Sequence, residues 1–273
     1  MVINKVWAVY FSATGTTKKV AEHIANGIGS KIGAPVCTID FTHPDARKQI
    51  LKFSKDDLVI FGTPVYAGRV PNILLPYLNE NIKADNAYAI PIVLFGNRSY
   101  DDALKELMII LNKDGFHILA AGAFIGEHAF SKTLAAGRPD ESDMLYADEL
   151  VDKAIKRVCQ SANSSMDVIS FNDGEPLRPY YKPKDRNGMD INILKVKPNT
   201  NDNCIKCGLC ARICPMGSIS YEDYITIKGI CIKCGACIKN CPKEAKFFDD
   251  EGYLYHKMDL EEMYSRRIEP VIY

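Results

Sequence analysis

The strongest constraint on this chain is a repeated run of cysteines between Cys204 and Pro242. It reads CIKCGLCARICP and returns as CIKCGACIKNCP, so Cys204, Cys207, Cys210 and Cys214 recur 27 positions later at Cys231, Cys234, Cys237 and Cys241. Eight of the chain's 10 cysteines lie in this stretch, which marks a duplicated functional unit. A four-iron, four-sulfide cubane needs four thiolates. C-x2-C-x2-C supplies three from one tight loop, and in this arrangement the cysteine before proline ligates the other cluster. The expected ligand sets are Cys204, Cys207, Cys210 and Cys241 for one [4Fe-4S] cluster, and Cys231, Cys234, Cys237 and Cys214 for the second. Gly208 and Gly235 follow the second cysteine of each loop and allow close backbone approach. Pro215 and Pro242 fix the chain direction.

Zinc sites pair two C-x2-C motifs around one ion and do not require the third cysteine or the Cys-Pro ending. Disulfides suit secreted chains, and MVINKVWAVYFSATG carries none of the parts of a secretion signal. Reduced thiols and no leader give a cytoplasmic expectation, and exposed clusters suggest a low-oxygen, anaerobic host. With Lys plus Arg at 34 and Asp plus Glu at 34, no basic surplus points to nucleic acid. No apolar run approaches the roughly 18 residues that span a bilayer.

At 273 residues the chain has room for about two domains. The first 160 alternate apolar strands with amphipathic helices, which implies an α/β fold with a parallel sheet covered on both faces. Strands are expected at Lys5 to Ser12, Ala34 to Phe41, Asp57 to Pro64, Ala87 to Gly96 and His117 to Gly126. Helices are expected at Thr16 to Ser30, Asp101 to Gly115 and Glu141 to Cys159. A short helix is expected within HPDARKQILKFS, and another over Pro71 to Ile82 that Pro76 kinks or ends. Residues 161–200, with SANSS, NDGEP and PYYKPKDRNG, read as an extended linker that wraps or tethers. Residues 201–250 form the cluster domain, with a hairpin at Ile219 to Ile230. The tail, 251–273, holds a short helix near Leu260 to Arg266.

Strand one runs into Ser12, Ala13, Thr14, Gly15, Thr16 and Thr17 at the start of a helix, where free amides and hydroxyls suit an anion. The loop lacks the lysine pattern of a nucleoside triphosphate site, and GIGSKIG has the wrong spacing for a dinucleotide fingerprint. A phosphate monoester fits.

The S-x-T-G-x-T run resembles the FMN phosphate loop of flavodoxins. That resemblance implies a doubly wound five-stranded sheet of order 2-1-3-4-5 with the ligand at the switch point. It also implies flavin contacts from two rim loops: Pro64, Val65, Tyr66 and Ala67 after strand three, and Gly96, Asn97, Arg98, Tyr100 and Asp102 after strand four. Tyr66 and Tyr100 would stack on the ring, and His128 is a further rim candidate. Cys37, Cys159 and Trp7 read as packing residues. The whole chain resembles a fused flavodoxin and bacterial two-cluster ferredoxin, with GNRSYDDAL and EHAFSKTLAAGRPD similar to segments in such proteins of anaerobes. The second domain is then a small α+β ferredoxin unit. FMN and two [4Fe-4S] clusters imply an electron-transfer iron-sulfur flavoprotein that relays low-potential electrons to a redox partner protein by transient docking. Two other functions fit the same parts: an FMN-dependent reductase of a small-molecule acceptor such as a quinone, a flavin or an unsaturated compound, and a redox sensor. A homodimer is compatible with all three.

Overall fold

Strand β1 (Lys5–Tyr10) is an inner strand of the main sheet, its apolar run mostly buried on both faces. It pairs in parallel with β2 (Val36–Asp40) on one side and β4 (Asp57–Pro64) on the other. β3 (Leu51–Ser54) and β5 (Ile82–Asp85) form a small parallel ladder outside this sheet. β4 pairs with β6 (Tyr88–Phe95), which carries β7 (His117–Ile118) and β8 (Gly122–Ile125) along its far edge. The parallel order β2-β1-β4-β6-β8 is the 2-1-3-4-5 order of a flavodoxin-like α/β fold. The computed structural model describes residues 2–160, 169 and 174–273.

Helices α1 (Thr16–Ile32) and α4 (Glu141–Gln160) cover one face, with Val20, Ile24, Ile28, Leu150 and Ala154 packed on Val6, Ala8 and Ile60. Helices α2 (Leu75–Asn81) and α3 (Ala103–Lys113) cover the other, where Leu78, Leu107 and Leu111 meet Val9, Phe11 and Phe61. Each such fully buried aliphatic or aromatic side chain contributes about 1.5–3 kcal/mol.

Several expectations are corrected. The fifth strand is broken at Leu119 to Ala121, so β7 and β8 share its place. HPDARKQILKFS makes one 3-10 turn, Ala46–Lys48, and then strand β3, because Phe53 packs against Trp7 and Phe116 at ring separations of 5.7 and 5.6 Å. Pro76 starts α2 rather than ending it, since the first turn has no use for its missing N–H. Residues 219–230 fold back as expected, but as a minimal hairpin of one antiparallel bridge, Ile219 to Ile227, flanked by the Ser220 amide on the Thr226 carbonyl and the Lys228 amide on the Ser218 carbonyl.

In the cluster domain, β9 (Asn199–Thr200) pairs with β10 (Lys246–Phe247), and the cysteine loops lead into the short helices α5 (Leu209–Arg212) and α6 (Ala236–Lys239). The chain then makes α7 (Glu251–Met263), which starts well before the helix expected near Leu260. Asp250 caps it by accepting the Tyr253 amide at 2.8 Å. From there it returns to the first domain, where β11 (Val271–Ile272) adds an antiparallel edge strand to β8. The main sheet therefore ends on a strand that follows the clusters in sequence.

Of the linker, SANSS lies outside the described residues. Its described part lies along the rim of the first domain. Arg178 pairs with Asp102, the Tyr180 hydroxyl donates to the Val70 carbonyl at 2.8 Å, and the Tyr181 amide donates to the Ala67 carbonyl at 2.8 Å.

Candidate functional site

The loop after β1 ends at Gly15, the N-cap of α1, in a left-handed conformation. Thr42 holds the loop from behind by accepting the Ser12 amide at 2.8 Å, and the Ser12 hydroxyl oxygen accepts the Lys18 amide at 3.0 Å. Among the described residues, no protein group accepts the amides of Thr14, Gly15, Thr16 or Thr17. These four N–H groups, with the adjacent threonine hydroxyls, make a neutral nest at the positive end of a 17-residue helix.

A cavity opens beside this nest. Ala13, Thr14, Thr16, Thr17, Pro64, Val65, Tyr66 and Gly96 line it, all expected from the sequence. Leu94, Phe95, Gly126, Glu127, Ala129 and Cys234 complete it and were not expected. Their positions at the ends of β6 and β8 mark the same rim, but Cys234 reaches it from the other domain. Tyr66 is half-buried. Loss of water, then the nearby sulfurs of Cys234 and Cys231, hold its hydroxyl well above the usual tyrosine range, so it keeps its proton.

The rest of the rim loop after β6 does other work. The Asn97 side-chain amide donates to the carbonyls of Tyr264 at 2.5 Å and Arg266 at 2.9 Å. Arg98 pairs with Asp101 and lies over the Tyr181 ring at 4.3 Å. The Tyr100 hydroxyl meets that of Tyr273 at 3.0 Å. Asp102 is occupied by the Arg178 backbone and guanidinium. None of these four side chains lines the cavity, and neither does Ala67. The loop that was expected to touch a ring through Tyr100 and Arg98 instead anchors the linker and the C-terminal strand. His128 packs against Gly96 so tightly that a Cβ there would lie 2.3 Å from the ring. Its Nδ1 accepts the Phe130 amide at 3.1 Å, and burial, then Lys239, His256 and Arg98, push its pKa down to about 3.

The cysteine repeat is also a repeat of backbone. Lys206 and Lys233 have φ of 53° and 54°, Gly208 and Gly235 have 73° and 76°, and Gly217 and Glu244 have 59° and 48°. The Ser218 amide points to Cys214 Sγ at 3.4 Å, and the Ala245 amide to Cys241 Sγ at 3.2 Å. One cavity is lined by Cys204, Cys207, Cys210 and Cys241, and the other by Cys214, Cys231 and Cys234, with Cys237 lying on both walls. Among the described residues, no trio of His, Cys, Asp or Glu stands close enough to hold a single metal ion. Burial pushes the Cys234 thiol up to about 12 and raises those of Cys237, Cys231 and Cys210. Thiolates at such positions need the positive charge of iron. The donor set, the N–H to sulfur contacts and the two separate cavities all fit clusters.

The two domains meet at the flavin-side rim. The Arg47 guanidinium donates to the Phe41 carbonyl at 3.1 Å and to the Pro215 carbonyl at 2.7 Å, joining the loop after β2 to the first Cys-Pro turn. Lys239 pairs with Glu127, and Lys132 with Glu244 at 2.5 Å. A Cβ on Gly235 would lie 2.5 Å from the Ala129 carbonyl oxygen.

Comparison with known proteins matches separate stretches of the chain. Residues 8–103 match the flavodoxin domain family, and residues 200–220 and 228–251 each match a 4Fe-4S binding domain family. No curated protein matches the chain. Among solved structures, a flavodoxin from the domain Archaea shares 19% identity over 56% of this chain and 97% of its own, with a TM-score of 0.42. Rubredoxin oxygen:oxidoreductase from Desulfovibrio gigas shares 16% over 60% of this chain and 38% of its own, also at 0.42. A flavodoxin of Streptococcus pneumoniae TIGR4 shares 15% over 56% and 98%, at 0.40. The chain is an iron-sulfur flavoprotein of the electron-transfer class. It carries a flavodoxin domain, which implies FMN, and two ferredoxin-type domains, which imply two 4Fe-4S clusters. No helix among the described residues is long and apolar enough to cross a membrane.

Proposed function

We propose that this protein relays low-potential electrons between a partner protein and FMN through its two clusters, all within one polypeptide. In this reading residues 1–160 hold the flavin, 201–250 hold the clusters, 161–200 join them along the rim, and 251–273 strap the second unit to the first. The nest from Ser12 to Thr17 holds the FMN phosphate, while Pro64, Val65, Tyr66 and Gly96 border the ring. Cys204, Cys207, Cys210 and Cys241 hold the outer cluster, and Cys231, Cys234, Cys237 and Cys214 the inner one. When bound, the clusters supply single-electron transfer and the flavin exchanges one or two electrons, which makes it the converter between the two modes.

One observation carries the proposal. Cys234 lines both the inner cluster cavity and the cavity beside the phosphate nest, so a single residue borders both redox sites. Tyr66 stays protonated at this seam and puts no phenolate charge between them. The reductase reading asks for an open approach and a proton donor. On this side, Cys234, Ala129 and Glu127 line the cavity, Glu127 is tied to Lys239, and His128 is neutral with Nδ1 already accepting. The relay needs neither feature. Anaerobic flash reduction of the reconstituted protein tests it: electrons should pass from cluster to flavin with a first-order rate that does not change with protein concentration. A rate proportional to concentration would remove the intrachain path.

A further inference from the structure

The inner cluster cavity and the flavin cavity face each other, and the chain itself covers the seam between them. The outer cluster cavity does not have this cover. Cys207 is exposed on its rim, and Ile205 beside it is 58% exposed. Lys206 and Lys243 are exposed and line the same mouth, with the buried Lys246 behind them, and no carboxylate is among the lining residues. Lys206 and Lys243 have no ion-pair partner among the described residues. The exposed Arg212 adds a third positive charge without an ion-pair partner among the described residues, its guanidinium donating to the Cys207 carbonyl at 3.1 Å. Acids nearby in sequence are partly taken: Glu244 by Lys132 and Glu222 by Lys228, which leaves Asp202 and Asp223, the latter accepting from the Thr226 amide and hydroxyl.

A small apolar centre beside an exposed ligand, ringed by unpaired cations, has the form of a transient electron-transfer interface. Such contacts are small, and charge steers the encounter more than it holds the complex. The chain's net charge is zero, so this basic mouth is a local feature and not the result of an overall surplus.

We propose that the mouth around Cys207 is the docking site for an acidic one-electron carrier protein, an iron-sulfur protein that presents carboxylates around its own cofactor. This rests on the relay reading and names the class of partner for it. One electron leaves the reduced carrier, which is thereby oxidised by one electron, and would reduce by one electron the cluster that Cys204, Cys207, Cys210 and Cys241 hold. No bond forms or breaks, and no proton moves. Lys206 and Lys243 orient the carrier through its carboxylates, and Ile205 supplies the dry contact.

The test uses the fully reconstituted protein, a small acidic bacterial ferredoxin as reduced carrier, and photoreduced 5-deazariboflavin as a reductant that needs no docking. The second-order rate with the ferredoxin should fall at least about tenfold as salt rises from about 50 to about 500 mM. Lys243→Glu should lower the low-salt rate by a similar factor, and Lys206→Gln by less. Lys156→Glu, on the exposed side of α4, should leave it unchanged. Zero-length carbodiimide coupling should join Lys206 or Lys243 to ferredoxin carboxylates, a readout independent of turnover. A rate indifferent to salt and to Lys243→Glu, with cross-links elsewhere, would overturn the docking site. If deazariboflavin still reduces the clusters and the electron still reaches the flavin, the relay survives that failure. If the electron stays on the clusters, the relay itself fails.

Discussion

Gly235 and the carbonyl oxygen of Ala129 are so close that a single added carbon would lie 2.5 Å from the oxygen. Gly235 also has φ of 76°, where a side chain costs about 1–2 kcal/mol. Its repeat mate Gly208 has nearly the same φ of 73°, but a Cβ there meets only the Arg212 guanidinium and the Tyr224 ring, at 3.1 and 3.2 Å. The two positions therefore separate backbone strain from crowding at the domain seam. Gly235→Ala should lower stability by about 1–3 kcal/mol more than Gly208→Ala, since a backbone oxygen cannot move aside as a side chain can. It should also slow electron passage from cluster to flavin. Thermal unfolding of the two reconstituted variants checks the first effect, and equal losses would show that the seam tolerates a wider gap.

Cys241 lines the cavity of the first cysteine loop and Cys214 that of the second, the placement that crossed ligation requires. Cys241→Ala should disturb the same cluster as Cys204→Ala, and Cys214→Ala the same one as Cys231→Ala. Each should take iron from about eight toward about four per chain. Electron paramagnetic resonance of the reduced variants distinguishes the pairs. If Cys241→Ala gave the same signal as Cys231→Ala, each loop would be holding its own cluster.

The parts that could be read from the sequence were local. Four thiols in one loop fix their own spacing, and parallel strands buried on both faces read as apolar runs, so the two 4Fe-4S motifs and the five parallel strands are legible in the sequence alone. What was missed depends on partners far along the chain. Tyr100 looks like a ring stacker until Tyr273 arrives beside it, and Asp102 like a flavin contact until Arg178 does. α7 hides its length because the face it buries is Tyr253, His256 and Leu260, and two of those three carry polar atoms. β11 is two residues long and forms only because β8 offers an open edge.

Thr14 lines the cavity beside the phosphate nest without being buried in the core, whereas Thr17 is fully buried and its methyl group packs near Gly62. Thr14→Ala is thus the cleaner probe of the nest. Losing one hydrogen bond to a charged group costs about 1.5–3 kcal/mol, so FMN affinity should fall roughly 10- to 100-fold. Riboflavin, which lacks the phosphate, should bind the variant as it binds the parent. Fluorescence titration of both ligands measures this, and a parallel loss for riboflavin would move Thr14 from the phosphate to the ring.

His128 is neutral in the folded protein with its pKa pushed down to about 3, while an unfolded chain titrates near the ordinary value of about 6.5. Between these values the unfolded state binds a proton that the native state does not, so stability falls as pH falls through that window. The slope reaches at most about 1.4 kcal/mol per pH unit, the value for one proton bound by the unfolded state alone. His256, also held low by burial, adds loss in the same direction. His128→Gln should remove its share and flatten the fall between pH 7 and 5, as followed by anaerobic thermal unfolding. An unchanged acid limb would assign the sensitivity to His256 and the paired carboxylates.

Asn97 tests how much the C-terminal strap contributes. Its side-chain amide satisfies two carbonyls, of Tyr264 and Arg266, just where the chain leaves α7 for β11, and it does so from a φ of 66°. Asn97→Ala removes both bonds and keeps the strained backbone, leaving two carbonyls without their donor. A cost of about 2–4 kcal/mol is expected. Asn97→Gly removes the same bonds but relaxes the backbone, so it should recover about 1 kcal/mol of that loss. Asn97→Asp places a carboxylate oxygen against the two carbonyls and should be the worst of the three. Denaturant unfolding ranks them, and limited proteolysis after Met263 reports whether the strap has come loose. If alanine and glycine were equally harmful, the bonds would carry the whole effect. If all three were harmless, Tyr100 and Arg138, which reach Tyr273 and the Ile268 carbonyl, would be enough to hold β11 in the sheet.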